Sequence, residues 1–409
     1  MLSLTFLRAH GRLLAFGVLM TFCSSVGQTF FISLFSGEIR GAFDLSDGDF
    51  GSLYSLGTLA SAAMLLWAGR LIDRVPLAVF AAAVLALLGG ACLTMGLAGN
   101  IIALGLALFT LRFFGQGLAS HSAVVAMGRY FDAQRGRAVS VATLGHTLGE
   151  AVFPAAVVAA LALGGWQQVW QGAAVALFLL VPLVFLLLKG QRERDAALLR
   201  ERLARNADVM AADHTLAGVL RDPGLWLRLP ALLAPSFIFT GLIFHQVHLA
   251  ETKGWPLSLL AGAFTLFAAC SLASLILTGP LVDRFGARRL VPVFLAPLAI
   301  ACLTLAFGKA AFVAPLFMAL MGVNTGLASV LLGALWAELY GITHLGAIRA
   351  FAQSAMVFST GLAPAVMGML IDGGLTMETI ALACGLYCLP ASALALLATT
   401  GRHAGTALR

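Results

Sequence analysis

Residues 111–154, LRFFGQGLASHSAVVAMGRYFDAQRGRAVSVATLGHTLGEAVFP, decide the fold of this chain. Their apolar runs predict two helices joined by a short basic loop. Arg112 and Glu150 lie within these runs and are the only charges near the middle of any apolar run in the sequence. A charge in hydrocarbon costs about 2.5–3.5 kcal/mol on insertion scales, so such a residue usually faces a partner or a water-filled cavity. We therefore expect Arg112 and Glu150 to contribute to function.

The composition indicates that lipid is the solvent for most of the chain. Apolar residues make up 60% of the 409 positions and charged residues 11%, whereas soluble domains contain about 45–50% and about 25%. This length accommodates about a dozen spans of ~20 residues. We therefore expect a multi-pass protein embedded in the lipid bilayer.

The net charge of +7 is explained by topology and does not require a nucleic-acid partner. With the N-terminus in the cytoplasm, the predicted spans leave only Arg40, Lys253 and Lys309 on the far side of the membrane. Nearly all other Lys and Arg residues then lie at cytoplasmic ends and loops, as the positive-inside rule requires. We expect a protein of a bacterial-type inner membrane, with both termini in the cytoplasm and no nucleic-acid partner.

Apolar runs predict an all-α fold with twelve transmembrane helices. Their expected positions are 13–36, 50–69, 76–97, 101–127, 138–163, 167–188, 226–250, 257–280, 290–308, 311–336, 346–371 and 377–399. A highly charged stretch, 190–224, is expected to be a cytoplasmic linker. It would join an N-terminal six-helix bundle, residues 1–189, to a C-terminal six-helix bundle, residues 225–409.

The two halves of the chain repeat one another at a constant shift of 210 residues. The matching motifs are GRLIDR, with Gly69, Asp73 and Arg74, and GPLVDR, with Gly279, Asp283 and Arg284. The same shift relates three further pairs: Tyr130 and Tyr340, Gly136 and Gly346, and Pro154 and Pro364. Many secondary transporters are built from such repeats, with the substrate site near the membrane midplane.

Two six-span halves, each with a G-x-x-x-D-R motif after its second span, resemble the major facilitator superfamily over essentially the whole chain. The resemblance implies two pseudo-symmetric six-helix halves and transport by alternating access. It also implies that the motif residues form a conformational gate: Gly69, Asp73, Arg74, Gly279, Asp283, Arg284 and Arg288. The second copy keeps nearly all of the family pattern, whereas the first lacks its later glycine and basic residues.

A finer resemblance concerns the transported solute. The segment RYFDAQRGRA, followed by a span containing Gly145 and Gly149, is similar to the branch that carries monocarboxylates and related organic anions. Drug/proton antiporters of the superfamily have a G-x-x-x-G-P pattern at this point. Here Glu150 replaces the proline, so the sequence favours the organic-anion branch.

In the superfamily, spans one, four, seven and ten line the central cavity. The resemblance therefore implies that the polar mid-span residues of these helices contact substrate: Gln28, Arg112, Gln116, His245 and Asn324. The repeat relates Arg112, His146 and Glu150 to uncharged residues, so we expect ionic chemistry in the N-terminal half only. The C-terminal half would add neutral contacts such as Asn324, Gln353 and Thr360.

The planar guanidinium of Arg112 can form two parallel hydrogen bonds to a carboxylate or phosphate. The alternative is a structural ion pair between Arg112 and Glu150. Glu150 and His146 are four residues apart and share a helix face, so a glutamate removed from water could carry a proton with His146 as its neighbour. We expect these two residues to couple transport to protons, with packing as the alternative.

His245 and His248 lie towards the outer end of span seven, where they would bind substrate or a proton, or simply bond to neighbours. We expect no cofactor, no metal site and no enzymatic activity. The favoured function is proton-coupled transport of a small organic anion by a monomer. The alternatives are a proton-driven exporter of drugs or metabolites and a transporter-like solute receptor.

Overall fold

A computed structural model of the chain describes residues 4–68, 71, 72, 74–131, 135–190, 216–341 and 345–400. All regular secondary structure within these ranges is helical. This confirms the predicted all-α class. Most of the predicted linker, 190–224, lies outside the described residues.

The described part of the first half of the chain forms nine α-helices. They are α1 (Leu4–Ser24), α2 (Thr29–Ile32), α3 (Ser36–Phe43), α4 (Asp47–Ala68), α5 (Leu77–Gly96), α6 (Ile101–Thr110), α7 (Ser120–Tyr130), α8 (Arg135–Leu161) and α9 (Trp166–Leu187). A nine-residue π-helix, Leu111–Ala119, joins α6 to α7 and makes one continuous helical span. Short 3₁₀ turns, Ser25–Gly27 and Ser33–Phe35, link α1 to α2 and α2 to α3.

The described part of the second half also contains nine α-helices. They are α10 (Leu216–Leu220), α11 (Pro223–Phe244), α12 (Gln246–Lys253), α13 (Leu257–Phe285), α14 (Ala287–Leu290), α15 (Ala296–Phe307), α16 (Val313–Tyr340), α17 (Leu345–Asp372) and α18 (Met377–Thr400). Helix α13 continues beyond the predicted end of its span. Asp283 and Arg284 therefore lie in its last turn, and the helix ends at Gly286, whose φ of 79° is accessible to glycine.

In the described part of the chain, nine helical segments are long and apolar enough to cross a membrane. The bent pair His10–Gly27 and Thr29–Phe43 adds a tenth. The two other predicted spans correspond to α4 and to α15, a shorter apolar helix. Each predicted span thus coincides with a helix, as expected for a multi-pass membrane protein.

The chain divides into two compact units. The first comprises Met1–Asp44 and Leu53–Asp208, and the second comprises Leu45–Ser52 and Val209–Arg409. Helix α4 therefore starts in the second unit and continues into the first. The predicted bundles, 1–189 and 225–409, placed all of α4 in the first bundle, whereas its first turns belong to the second unit.

Helix packing follows the same order within each unit. In the first unit α1 packs on α8 and α5 packs on α9; in the second, α11 packs on α17 and α15 on α18. A hydroxyl group forms a hydrogen bond between the helices of two corresponding pairs. Thr21 Oγ1 of α1 donates to the Ala142 carbonyl of α8 at 2.5 Å, and Ser359 Oγ of α17 donates to the Leu233 carbonyl of α11 at 3.3 Å. This recurrence supports the internal repeat inferred from the sequence.

The first span is broken at Gln28, although its apolar run predicted one helix over 13–36. The helical segments on either side of the break differ in direction by 46°. Gln28 is extended, with φ of −89° and ψ of 157°, and its carbonyl accepts from Phe31 N and Ile32 N at 3.2 and 3.1 Å. The α-helical hydrogen-bond series is therefore interrupted beside Gly27.

The break packs directly against the π-helix, and this approach requires glycine on both sides. A Cβ on Gly27 would strike the Leu111 carbonyl oxygen and lie 2.8 Å from Gly115 Cα. A Cβ on Gly115 would lie 2.7 Å from Gly27 Cα. These distances are shorter than van der Waals contact, so any side chain at either position forces the two backbones apart.

Gly27→Ala is expected to lower the free energy of unfolding by about 1–3 kcal/mol, because overpacking a close backbone contact displaces both segments. The matched control is Gly172→Ala in α9, where a Cβ would meet nothing within 4 Å. That control should be neutral or stabilising by up to ~1 kcal/mol. Thermal melting of the purified protein measures both effects, and equal melting temperatures for the two variants would contradict the contact.

Candidate functional site

Arg112 lies in the π-helix and is completely buried. Its Nη1 donates to the Gly27 carbonyl at 3.0 Å, and its Nε donates to Thr58 Oγ1 at 3.1 Å. The guanidinium carbon also lies 5.1 Å from the centre of the Tyr54 ring. Arg112 therefore provides a donor at the break in the first span, where the Gly27 carbonyl is buried.

The Tyr54 hydroxyl extends this network to the other side of the break. It lies 2.8 Å from Thr29 Oγ1, at the first residue of α2. Tyr54 and Thr58 are four residues apart on α4, so they present one polar face to Arg112. The sequence analysis did not single out these two residues, although this spacing within an apolar helix was a usable signal.

One nitrogen of Arg112, Nη2, is buried without a hydrogen-bond partner among the described residues. No carboxylate in the described part of the chain forms an ion pair with this side chain. The hypothetical Arg112–Glu150 pair is accordingly not formed in this structure. A buried cation without a counter-ion is costly.

Gln28 and Gln116 lie next to Gly27, whose carbonyl accepts from Arg112. Gln28 occupies the break itself, and the backbone nitrogen of Gln116 lies 3.0 Å from where a Cβ on Gly27 would be. Both side chains are half-buried, and neither forms a side-chain hydrogen bond with a described residue. The structure thus brings together three predicted substrate contacts, Arg112, Gln116 and Gln28, in the first unit.

Glu150 and His146 form a contact within α8. His146 Nε2 lies 3.4 Å from Glu150 Oε1, and the two side chains are 36% and 10% exposed. The Phe30 ring meets His146 edge to face, with ring centres 6.0 Å apart. His146 Nδ1 has no partner among the described residues. This pair therefore faces α2, the helix that follows the break in the first span.

The predicted contacts of the second unit are not clustered with one another. Asn324 is buried and donates to the Phe294 carbonyl at 2.8 Å. His245 contacts Asp47 and the Pro364 carbonyl, and Gln353 is exposed. Asn324 and His245 are thus already bonded to backbone carbonyls, whereas Gln353 is accessible.

The two copies of the predicted gate motif are described to different extents. Gly69 and Asp73 lie outside the described residues, and Arg74 is exposed in a turn. In the second unit Gly279 lies within α13, where Asp283 and Arg284 are also exposed.

Arg288 bonds the motif to the last helix. Its Nη2 donates to the Thr399 carbonyl at 2.7 Å. Glu338 Oε2 accepts from Ala287 N at 2.6 Å, which caps α14. The motif is therefore fastened to both α16 and α18 within its own unit.

Among the described residues, no group of three His, Cys, Asp or Glu side chains is arranged to hold a metal ion.

Comparison with protein families identifies this class of protein. The Major Facilitator Superfamily model matches residues 17–264 and 236–407. The chain belongs to the Major Facilitator Superfamily and is a membrane transporter. No curated protein matches the sequence.

Solved structures agree with the family. The chain resembles a bacterial homologue of the human lysosomal transporter Spinster, in its inward-facing, unoccupied conformation, with a TM-score of 0.69 and 15% identity. That match covers 95% of this chain and 97% of the other. The inward-facing, occupied form gives a TM-score of 0.69 and 16% identity, covering 94% and 96%. At these identities the resemblance establishes the fold alone.

Thr58→Val should destabilise the first unit by about 1–3 kcal/mol, because it leaves Arg112 Nε buried without its acceptor. The control is Thr110→Val, since the Thr110 hydroxyl bonds only to the Leu106 and Ala107 carbonyls of its own helix. Thermal melting should show a clearly larger fall in melting temperature for Thr58→Val than for Thr110→Val. A loss no larger than that of the control would mean that Thr58 does not hold the guanidinium.

Proposed function

We propose that this transporter moves a small organic anion, such as a carboxylate, together with protons across a bacterial-type inner membrane. The observation that carries the proposal is the buried Arg112 guanidinium, which has a donor without a partner and no acidic counter-ion among the described residues. A substrate carboxylate would supply both the missing acceptor and the missing negative charge.

Gln28 and Gln116 complete the proposed anion site. Their side-chain amides offer donors and acceptors that other described residues do not use. Because Gln28 sits at the break in the first span, substrate contact at its side chain would act on the point where that span changes direction. Asn324, His245 and Gln353 stay predictions as substrate contacts.

Glu150 and His146 are the proposed proton carriers. Glu150 is buried in α8, and its one contact with a charged or polar described side chain is to His146. A carboxylate in such a position is costly when ionised and is relieved by binding a proton. The contact between His146 Nε2 and Glu150 is compatible with both states, because a carboxylic acid still presents an acceptor oxygen.

Charge balance supports movement of anion and proton in the same direction. The anion would neutralise Arg112, and the proton would neutralise Glu150. A first unit that carries both therefore holds less uncompensated buried charge than one that carries either alone. The distribution of Lys and Arg supports placing both termini in the cytoplasm.

Arg112→Gln is expected to abolish ligand-induced stabilisation by carboxylates. A ligand at ~100 times its Kd adds about 2.7 kcal/mol to the folded state, which thermal melting detects. The panel would contain small carboxylates, phosphates, sugars, amines and lipophilic cations, and each variant would be compared with its own ligand-free sample. Arg112→Lys should respond weakly, since an ammonium cannot reproduce the guanidinium fork.

The matched control is Arg228→Gln. Arg228 is also a buried arginine in a spanning helix, and it bonds to the Ala398 carbonyl in the second unit. Its variant should keep the response to carboxylates. If Arg112→Gln kept it too, the anion site would be wrong. A response of the wild type to lipophilic cations alone would favour the exporter.

Glu150→Gln should uncouple transport from protons, because an amide cannot exchange a proton in this range. In proteoliposomes we expect it to lose accumulation driven by an imposed pH gradient but to keep exchange of labelled substrate across the membrane. Glu38→Gln is the control, since Glu38 is exposed on α3. A wild-type response of Glu150→Gln to the gradient would overturn the assignment.

A further inference from the structure

Three ionisable side chains meet at the start of α4, within the second unit. His245 Nδ1 lies 3.3 Å from Asp47 Oδ1, and His248 Nδ1 lies 3.2 Å from Asp47 Oδ2. The side chains of His245, Asp47 and His248 are 1%, 10% and 23% exposed. His245 also uses its second nitrogen: Nε2 lies 3.1 Å from the Pro364 carbonyl oxygen.

The partners of His245 determine how many protons the group must hold. A backbone carbonyl only accepts hydrogen bonds, and so does an ionised carboxylate. A neutral imidazole carries one N–H and cannot donate to both Asp47 and Pro364. Both bonds form only when the Asp47–His245 pair holds one additional proton, either as an imidazolium or as a protonated Asp47 that donates to Nδ1.

Contacts of the ionisable side chains and of their neighbours hold the first turns of α4 against α11, α12 and α17. Phe50 stacks on Phe244 with ring centres 5.2 Å apart. Asp372 Oδ2 accepts from Ser46 Oγ at 2.7 Å and from Gly48 N at 2.9 Å. The segment that the second unit holds in this way, Leu45–Ser52, continues directly into the part of α4 that belongs to the first unit.

We propose that the Asp47–His245 pair is a proton-binding site that clasps Leu45–Ser52 to the second unit and loosens it when the proton leaves. In the protonated state both hydrogen bonds of His245 are made. In the deprotonated state one of them must be lost, and a lone pair then faces an oxygen atom across the contact. The clasp is therefore firm at acidic pH and weaker at alkaline pH.

The other charged groups on the helices packed here are consistent with a clasp that is stronger at acidic pH. Helix α4 adds Asp49, and α17 adds Asp372 at its end; these carboxylates favour a cation at the cluster. Helix α12 adds Glu251 and Lys253, and the Lys253 ammonium lies 3.0 Å from Glu378.

Two arginines complete the charges on these helices, and both bond elsewhere. Arg228 of α11 bonds to the Ala398 carbonyl, and Arg349 of α17 bonds to the Gly333 carbonyl. His248 is partly exposed, so it offers a route by which the proton reaches solvent.

Hydrogen exchange of the full-length protein, followed by mass spectrometry at about pH 5.5 and about pH 8, tests the clasp across the range in which histidine titrates. Exchange of peptides covering 45–52 would be divided by the intrinsic rate at each pH. We expect their protection to fall by about tenfold between the two conditions, as one hydrogen bond of a charged group is lost. Peptides from α18 serve as an internal reference for intact folding.

Asp47→Asn keeps the contact with His245 but removes the need for an additional proton. The Asn amide can donate to a neutral Nδ1 while Nε2–H donates to Pro364, so protection should persist at both pH values. Asp49→Asn is the matched control, because Asp49 is an exposed carboxylate on the same turn that bonds to Ser46. This control should behave as the wild type.

Constant protection of the wild-type segment at both pH values would overturn the proposal. A tenfold fall in Asp47→Asn equal to that of the wild type would also overturn it, because the responsible group would then lie elsewhere. Neither result depends on Arg112 or Glu150, so the clasp and the transport proposal can fail separately.

Discussion

The hydrogen bond from Arg112 to the Gly27 carbonyl is the interaction on which the first unit depends. A span that changes direction must interrupt its backbone hydrogen bonds, and lipid offers no replacement. Here a buried guanidinium supplies the donor at 3.0 Å. The π-helix that carries it, the glycine contact that brings the two backbones together and the Thr58 and Tyr54 face that orients it all follow from that requirement.

Using a charged donor for this purpose has a consequence for function. A serine or asparagine could also satisfy one carbonyl, but only a cation leaves an unbalanced charge at the break. That charge sits beside the break in the span, and Arg112 Nη2 has no partner among the described residues. A structural role and the proposed anion recognition are therefore compatible for Arg112: Nη1 bonds to the break, Nε bonds to Thr58, and Nη2 has no partner among the described residues.

The sequence predicted the spans, the repeat and the two buried charges, because these depend on hydropathy and on spacing along one helix. It did not predict the break at Gln28, since no proline marks it, although the polar stretch SSVGQT at 24–29 was a usable signal. Arg112 and Glu150 were candidates for an ion pair by depth alone, but depth does not determine how each helix is rotated. Asp47 was missed because its partners, His245 and His248, are distant in sequence and their contact depends on tertiary packing.

The two histidine–carboxylate contacts differ in a way that supports the different roles proposed for them. His146 makes one contact of this kind, at 3.4 Å, and its other nitrogen has no partner among the described residues, so the proposed proton exchange at Glu150 would break no described hydrogen bond. His245 is bonded at both nitrogens, so loss of its proton must break one bond. A group that titrates at no structural cost is suited to carrying a proton through a transport cycle. A group whose titration costs a tertiary contact is suited to controlling when a helix is held or released.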